Sequence, residues 1–528
     1  MLTGKNLIGY SLSGESEKKI AVTLKTNSPE AYYFFHEASY SETDTAVLLA
    51  DKAFKTYRHF TGEQKAAFFE SIAEGIASAK DELVAVAMQE THLAKGRLEG
   101  EVQRTINQLK LFAQLLRDGS WVNAIIDTAL PDRKPLPKPD IRQMQIPLGP
   151  VAVFGASNFP FAFSVAGGDT VSALAAGCPV VYKAHPAHPA TSEMVGAIIV
   201  GIAKEHNMPE GIFSLLQTAA NETSIYLVTH PLIKAVAFTG SFTGGRALYD
   251  AAAKRTEPIP VYAEMGSTNP VFVLPGIMQN DGDALAEKLA ASNMLSAGQF
   301  CTNPGIIISL QSPYTDNFLS RFSARIKNAV AETMLTENIY SNYHKGIGKL
   351  MVAEGVKLKA FSKGNEIART AAPYMFETTA KTFMENNVLS QEVFGPASIH
   401  VIAATEEELY AIAKALPAQL TASVWGTEKD MDTYANLVNE LELKAGRIIF
   451  NNVPTGVEVT HAMVHGGPYP ATTDSRTTSV GTTAIYRFTR PVCYQNFPEN
   501  LLPDALKNDN PLKIQRLVNS NITTGNIW

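Results

Sequence analysis

Residues 151–183 decide the fold of this chain, and they read VAVFGASNFPFAFSVAGGDTVSALAAGCPVVYK. Apolar strand-forming residues at 151–154 and 180–182 flank an alanine- and glycine-rich segment that predicts a helix over 167–177. A strand, a helix and a second strand at this separation form a right-handed unit of a parallel sheet. Because the same alternation continues beyond this stretch, the sequence predicts a doubly wound α/β domain over about 150–265.

Two further regions extend this predicted domain. Before it, residues 41–120 carry apolar residues at helical spacing, and Ser41 and Thr61 stand where helix N-caps are expected. After it, residues 270–450 alternate again between strand-like and helix-like segments. The sequence therefore predicts a helical cover for the first sheet and a second α/β domain downstream.

A proline-rich segment and the tail of the chain differ from the rest. Residues 131–150 contain six prolines, which predicts an extended arm or edge element because proline cannot sit in a central strand. The tail from Ala471 is rich in threonine and serine, and alternating residues at 484–488 predict a strand. We expect this strand to leave the body and to pair with the proline-rich arm.

The composition excludes several classes of protein. At 528 residues two or three domains are expected. The net charge of −6 without a basic block favours neither nucleic acid nor an anionic membrane as a partner. Three cysteines without a CxxC pair predict neither a disulfide framework nor a metal site. No signal-like start and no apolar run of membrane-spanning length occur, so we expect a cytoplasmic protein.

Cys301 is the first candidate for chemistry. It lies in SAGQFCTNPG, between a Gly-Gln step and an Asn-Pro-Gly turn, just before the apolar residues 306–308. A thiol in a tight turn at the mouth of a buried strand is placed to be reached by a substrate. The position alone leaves open the alternative that Cys301 is a small buried apolar residue.

Two more candidates follow predicted strands of the first domain. Asn158 comes after the strand at 151–154, where its amide can donate to a developing oxyanion, although an Asx turn is the alternative. Glu264 ends the apolar segment from Val261, and partial desolvation there predicts a raised pKa that suits a general base. An N-cap or a structural ion pair is the alternative for Glu264.

A third group of candidates points to a nucleotide. Gly240, Ser241 and Gly245 belong to GSFTGG, which follows a predicted strand and opens a helix, a favourable place for phosphate. Lys183 stands just past a predicted strand, at the end where ligands of open sheets bind. Glu392, a second candidate carboxylate, follows a polar loop and precedes the predicted strand at 398–402. A simple glycine turn, a solvated lysine and a surface glutamate are the respective alternatives.

Taken together, these weak signals form a known pattern. SNFP, VVYK, FTGS, EMGS, GQFC and EVFGP, in this order and at these separations, resemble the aldehyde dehydrogenase superfamily over nearly the whole chain. The resemblance implies an α/β aldehyde dehydrogenase fold with three parts. They are a Rossmann-like dinucleotide-binding domain (1–130 and 149–265), an α/β catalytic domain (266–470) and a small β oligomerisation arm (131–148 and 471–496), followed by a C-terminal extension (497–528).

The resemblance also implies roles for the catalytic candidates. Cys301 would attack the aldehyde carbonyl to give a thiohemiacetal, whose oxyanion the amide of Asn158 and the backbone N–H of Cys301 would hold. Hydride transfer to a nicotinamide would then leave a thioester. Glu264 would activate the water that hydrolyses this thioester. No metal is implied, and the arm implies a homodimer or a homotetramer.

For the cofactor, the resemblance places Lys183 on the adenosine ribose, Ser241 on the pyrophosphate, Glu392 on the nicotinamide ribose and Phe394 against the same part of the cofactor. Many NAD-using relatives carry a glutamate three residues after the lysine, and this chain has Pro186 there.

The stretch around that position reads KAHPAHP, so two histidines, His185 and His188, accompany the loss of the carboxylate. A missing carboxylate no longer repels a 2′-phosphate. We therefore expect NADP to be preferred and NAD to be usable.

EMGSTNP and the tail segment PTGVEVTHAMVHGGPYPATTDSRTTSVGT resemble, within the superfamily, the bacterial enzymes that oxidise 2-oxoglutarate semialdehyde to 2-oxoglutarate. Such a substrate needs a cationic pocket for its carboxylate, and Arg476 is our candidate, with a surface arginine as the alternative. A broad NADP-dependent aliphatic aldehyde dehydrogenase and a catalytically retired structural or binding protein remain alternatives. A CoA-acylating enzyme is disfavoured because Glu264 is present.

Overall fold

The computed structural model describes residues 2–24, 31–364 and 369–527, and a seven-stranded sheet forms its first domain. Five strands run parallel, and two short antiparallel strands from the start of the chain extend one edge. Across the sheet the strands are Val261–Glu264, Ala235–Thr239, Val151–Phe154, Val180–Ala184, Phe213–Gln217, Asn6–Ile8 and Ser11–Ser13. The predicted doubly wound domain is confirmed.

The order of these strands positions the site. The chain starts the parallel part of the sheet in its middle, at Val151–Phe154, moves outward on one side, and then returns to the other side with Ala235–Thr239. These two neighbouring strands therefore form a topological switch point, and ligands of open α/β sheets bind beyond the carboxyl ends of such strands. Asn158 and Ser241 follow directly after them.

Helices cover both faces of this sheet. Thr61 caps the second helix, as predicted, whereas the first is capped by Ser39 and not by Ser41. Ser39 exchanges hydrogen bonds with Glu42 in a capping box, so Ser41 falls inside the first turn. The helices are Tyr40–Tyr57, Gly62–Ser78, Lys80–Thr91, Lys95–Asp118, Gly168–Ala176, Pro189–Glu205, Asn221–Thr229 and Phe242–Ala253.

The second domain contains another seven-stranded sheet, and it too is parallel except for one edge strand. Its strands are, in order, Lys357–Phe361, Tyr374–Thr379, Ala397–Ala403, Ile306–Leu310, Val271–Val273, Gln419–Trp425 and Ala445–Phe450. Its helices are Pro275–Met294, Thr315–Lys327, Glu337–Met351, Ala380–Glu385, Glu406–Ala415, Glu428–Thr433 and Ala435–Glu442.

A five-stranded sheet joins the proline-rich segment to the tail, and its order is Thr489–Gln495, Ile141–Pro147, Ile125–Asp127, Arg516–Val518 and Asn521–Thr523. The predicted pairing of tail and arm is confirmed, but the strand predicted at 484–488 is wrong. The chain there forms the 3-10 helix Thr482–Phe488, whose buried side chains pack on the body.

The proline-rich segment also supplies an inner strand of this small sheet, contrary to the edge position expected for it. This is physically allowed because four of its prolines precede the strand and a fifth, Pro147, is its last residue. The C-terminal extension contributes the last two strands.

The shorter elements are two strand pairs and five further 3-10 helices. The pairs are Lys19–Leu24 with Ala31–His36 and Glu332–Thr333 with Thr370–Ala371. The 3-10 helices are Ser120–Val122, Leu295–Gly298, Asn387–Ser390, Glu499–Leu501 and Asp504–Leu506. None of the helices in the described part of the chain combines the length and the apolar character that crossing a membrane requires.

Candidate active site

The turn that carries Cys301 is held rigidly. Gly298 has a φ of +64°, and a Cβ there would lie 2.3 Å from the backbone of Gly395, so only glycine fits. The side-chain amide of Asn269 donates to the carbonyl oxygens of Cys301 (2.8 Å) and Asn303 (2.9 Å). The thiol is half-buried. The structure therefore fixes Cys301 at the end of a clamped turn and leaves it reachable.

A histidine that the sequence analysis did not select lies beside this thiol. Nε2 of His465 is 3.5 Å from Sγ of Cys301 and 2.9 Å from Oε1 of Glu264. The hydroxyl of Ser479 donates to the other oxygen of Glu264 at 2.6 Å. The imidazole is fully buried, and its Nδ1 has no hydrogen-bond partner among the described residues.

The three groups thus form one compact unit. The thiol sulfur, the imidazole nitrogen and the carboxylate oxygen all lie within 4.8 Å of one another. Such a donor set could also hold a soft metal ion, which would block the thiol. No periodicity in the sequence marks His465. The only signal was its place in the tail segment that carries the resemblance.

The charges in this unit change the pKa values of Glu264 and Cys301 in opposite directions. Burial raises the pKa of the Glu264 carboxyl, but the charge of His465 and the hydrogen bonds from His465 and Ser479 outweigh it, and the pKa lies below its ordinary value. The predicted rise is therefore wrong, because the prediction counted desolvation alone. For Cys301, burial and the negative charge of Glu264 raise the pKa of the thiol well above its ordinary value.

Asn158 reaches the cysteine turn from the first domain. Its Nδ2 donates to the carbonyl of Gln299 at 3.1 Å, and its own backbone carbonyl accepts from Arg97 at 2.6 Å. Because the side chain bonds to a residue far along the chain and not to its own turn, the structure does not support the Asx-turn alternative. The residue to which this amide is bonded, Gln299, is two residues before Cys301 in the sequence.

A cavity of about 500 Å³ opens onto Cys301. Aromatic and aliphatic side chains form much of its wall, and three arginines, Arg97, Arg104 and Arg447, line it as well. Arg476 does not line it. That side chain is 85% exposed and pairs with Asp474 on the surface, so the assignment of Arg476 to the substrate carboxylate is wrong. The threonine-rich loop looked mobile in the sequence, but it places Arg476 outside the cavity.

On the nucleotide side, Ser241 caps the helix Phe242–Ala253 and accepts a hydrogen bond from the N–H of Gly244. A Cβ on Gly245 would lie 2.7 Å from Met265, so glycine lets this helix pack closely on the sheet. A Cβ on Gly240 would lie 2.6 Å from the ring of Phe238. These residues form a tight strand-to-helix turn whose leading N–H groups can face a phosphate.

Lys183 and His185 lie at the carboxyl end of the strand Val180–Ala184 and are partly accessible. Desolvation lowers the pKa of the Lys183 ammonium to about 8. The rings of His185 and His188 stack at 5.7 Å, and the Nδ1 atom of His185 accepts from the N–H of Ala187. None of the hydrogen bonds or ion pairs that we find within 2–24, 31–364 and 369–527 engages the Lys183 ammonium, so it is free to meet an anion.

Glu392 and Phe394 lie on the other side of the cysteine turn. The backbone N–H of Ser267 points at a carboxylate oxygen of Glu392 at 3.5 Å. Phe394 and Glu392 line a crevice together with Thr268 and Phe300. The two residues therefore lie beside the segment that follows Glu264 and beside the cysteine turn.

Comparison with known proteins agrees with this fold. The model of the aldehyde dehydrogenase family matches residues 12–479. An α-ketoglutaric semialdehyde dehydrogenase of Acinetobacter baylyi is 48% identical, covering 98% of this chain and 99% of that protein. α-Ketoglutaric semialdehyde dehydrogenase 2 of Azospirillum brasilense is 45% identical, covering 98% of both chains.

Among solved structures, a 1-pyrroline-5-carboxylate dehydrogenase from Thermus with bound NAD superimposes with a TM-score of 0.76 at 21% identity. The match covers 93% of this chain and 92% of that one. The fold and the family match define an oxidoreductase that acts on aldehydes. The chain belongs to the aldehyde dehydrogenase family, as the motifs predicted.

Proposed function

We propose that this enzyme oxidises 2-oxoglutarate semialdehyde to 2-oxoglutarate with NADP as the preferred acceptor. The observation that carries the proposal is the Cys301–His465–Glu264 unit at the end of a cavity lined by arginines. The names of the two bacterial relatives support the same substrate. Because the substrate is an anion, arginines in the wall favour it over a neutral aldehyde.

The first step needs a thiolate. Burial and Glu264 keep the resting thiol protonated, while the lowered pKa of Glu264 keeps the carboxylate ionised. The thiol is also hydrogen-bonded to the Glu264 carboxylate, so its proton can pass directly to that carboxylate as sulfur attacks the aldehyde carbon, while Nε2 of His465 stays hydrogen-bonded to Oε1 of Glu264. The amide of Asn158 and the N–H of Cys301 then stabilise the oxyanion, and losing one such donor typically costs about 10²–10³ in rate.

The bound nicotinamide supplies the chemistry of accepting a hydride. The remaining work belongs to residues of this chain. Glu264 takes a proton from the water that attacks the thioester, and Ser479 and His465 keep the carboxylate oriented for that step. Because both oxygens of Glu264 are bonded, the carboxylate is held in one orientation while the acyl group is bound.

The cofactor site supports a dinucleotide and favours NADP. A free ammonium at Lys183 and the N-terminus of the helix Phe242–Ala253 offer positive charge at the carboxyl edge of the sheet. Pro186 offers no carboxylate against a 2′-phosphate. The relative from Thermus was solved with NAD, and we propose that NAD is usable here. A kcat/KM for NAD well above that for NADP would overturn the preference.

We further propose that the chain assembles as a homodimer or homotetramer through the arm of residues 131–148 and 471–496, with dinucleotide-binding and catalytic domains bounded as predicted above. Leu136 is an exposed apolar side chain in this arm, and the exposed Leu130 directly precedes the arm. Light scattering during gel filtration tests the assembly, and a monomeric mass would contradict it. The reduced state expected of three free cysteines supports a cytoplasmic location.

The decisive experiment measures NADPH formation by the purified enzyme with 2-oxoglutarate, succinic and glutaric semialdehydes and with alkyl aldehydes. We expect the highest kcat/KM for 2-oxoglutarate semialdehyde. A higher value for a medium or long alkyl aldehyde would favour a broad aliphatic aldehyde dehydrogenase, which the apolar part of the cavity wall could serve. A need for CoA would identify an acylating enzyme, and no NADPH with any aldehyde would identify a retired family member.

A further inference from the structure

The three arginines of the cavity differ in how they are bonded. Arg97 and Arg447 each donate to backbone carbonyls, although Nε and Nη1 of Arg97 and Nε of Arg447 are buried without a partner among the described residues. Arg97 donates to the carbonyl of Asn158 at 2.6 Å, and its guanidinium lies over the ring of Phe300 at 4.6 Å. Arg447 donates to the carbonyls of Pro454 (2.7 Å) and Gly456 (3.0 Å). Both therefore position neighbouring segments of the wall.

Arg104 is not bonded to the protein in this way. Within the described ranges, no hydrogen bond and no ion pair engages it, and its Nε and Nη2 atoms are buried without a partner. Its guanidinium carbon lies over the face of Phe163, 5.0 Å from the ring centre. Burial accordingly lowers the pKa of this side chain below its ordinary value.

Two carboxylates, Glu101 and Glu458, line the same cavity and act on Arg104 through their charge, but neither forms an ion pair with it among the described residues. Glu101 is one turn earlier on the helix Lys95–Asp118, and residues three apart share a helix face. One of its oxygens accepts from the backbone N–H groups of Phe161 (2.8 Å) and Ala162 (3.0 Å). Glu101 thus holds the loop after Asn158 and leaves the donors of Arg104 unsatisfied. A buried donor without an acceptor is costly, and the second oxygen of Glu101 is likewise buried without a hydrogen-bond partner among the described residues.

We propose that Arg104 is the residue that binds the carboxylate of the substrate, at the end of the molecule remote from the aldehyde. The proposal rests on the function proposed above and assigns its specificity to one side chain. A planar guanidinium with free donors accommodates a carboxylate through two parallel hydrogen bonds. Because Arg104 and Cys301 line the same cavity, an aldehyde with a carboxylate at its far end can reach both.

The test replaces Arg104 with Met, which keeps most of the length and removes the charge, and with Lys, which keeps the charge and removes the paired donors. Truncating one partner of a buried charged pair typically costs a factor of about 10²–10³ or more. We expect kcat/KM for 2-oxoglutarate semialdehyde to fall by about that factor in Arg104→Met, chiefly through KM. Arg104→Lys should fall between this variant and the wild type.

Pentanal is the comparison substrate, because it matches the five-carbon chain without the carboxylate. Its kcat/KM should change less than about threefold in both variants, which also reports that each variant is folded. Arg476→Met, a substitution of an exposed arginine, is the matched control and should leave both substrates unchanged. Inhibition of pentanal oxidation by 2-oxoglutarate should weaken in parallel with the loss of semialdehyde turnover.

The outcomes separate this inference from the proposed function. If the wild type does not prefer the semialdehyde to pentanal, the proposed function fails. If the wild type prefers it and the Arg104 variants keep that preference, or lose both substrates equally while remaining folded, the inference alone is overturned. If Arg104→Met does not fold, Arg104→Lys tests the inference instead. An unchanged KM for the semialdehyde in that variant would refute the two parallel hydrogen bonds between the guanidinium and the substrate carboxylate.

Discussion

Ser479 makes a shorter contact with the catalytic base than any other side chain of the site. Its hydroxyl donates to Oε2 of Glu264 at 2.6 Å, and both residues are buried. Replacing Ser479 with Ala removes this hydrogen bond and leaves the bond from His465 in place. Since the lost bond stabilises the carboxylate and not the protonated acid, the pKa of Glu264 must rise in the variant.

The size of the rise follows from the energy of the bond. A hydrogen bond to a charged group contributes about 1.5–3 kcal/mol, and one pKa unit corresponds to about 1.36 kcal/mol. The pKa of Glu264 should therefore increase by about one to two units. The carboxylate loses its function as a base when it is protonated, so the acid limb of the pH profile should move upward by the same amount.

The assay is the steady-state hydrolysis of p-nitrophenyl acetate without cofactor, with the burst amplitude confirming that acyl-enzyme hydrolysis limits the rate. Above the acid limb of both enzymes the variant should match the wild type within about twofold, and on the acid limb it should be several-fold slower at the same pH. Ser323→Ala, which removes a buried hydroxyl that contacts Met375 away from the site, is the control. An acid limb that stays in place, or moves downward, would refute the role assigned to Ser479.

Three other predictions concern the thiol, the cofactor and the fold. In Glu264→Gln the loss of negative charge should lower the pKa of Cys301, so alkylation of the thiol by iodoacetamide should begin at a lower pH than in the wild type. NADPH formation should stop after one burst. Alkylation that begins at a higher pH would contradict the assigned effect of the Glu264 charge on the thiol. Pro186→Glu should reduce kcat/KM for NADP at least about tenfold and spare NAD, because the new carboxylate repels the 2′-phosphate; equal changes for both cofactors would place the phosphate elsewhere. Asp169→Asn leaves the buried Arg487 without its charged partner at 2.7 Å. The free energy of unfolding, measured by urea denaturation, should therefore fall by about 3–5 kcal/mol. An unchanged urea midpoint would mean that the ion pair does not stabilise the fold.

Much of the site could be predicted because parallel strands end at a common edge. Asn158, Ser241 and Glu264 each follow or end a strand of the first sheet, and a sequence that alternates strands and helices predicts that such residues meet. Cys301 precedes a strand of the second sheet. For these four residues the local pattern carries the information, since it fixes both the strand and the end from which each side chain emerges.

His465 and Arg104 could not be found in this way. His465 lies in an irregular segment, and it reaches Glu264 only because its backbone is hydrogen-bonded to Thr478 and Ser479. Arg104 lies on a helix whose polar residues look like an ordinary solvated face. One face of this helix lines the cavity together with residues of the second domain. Such packing between distant segments leaves no pattern in the local sequence. Arg476 failed for the opposite reason, because a flexible-looking loop was taken for a lining of the cavity.

The electrostatic arrangement explains how one carboxylate can serve two successive steps. Glu264 must be ionised when the thiol loses its proton and ionised again when water attacks the thioester, so the proton gained first must leave in between. A base with a raised pKa would retain that proton at neutral pH. The hydrogen bonds from His465 and Ser479 hold the pKa of Glu264 low instead, which favours release. The same negative charge keeps Cys301 protonated at rest, so attack by sulfur is coupled to proton transfer within one buried unit.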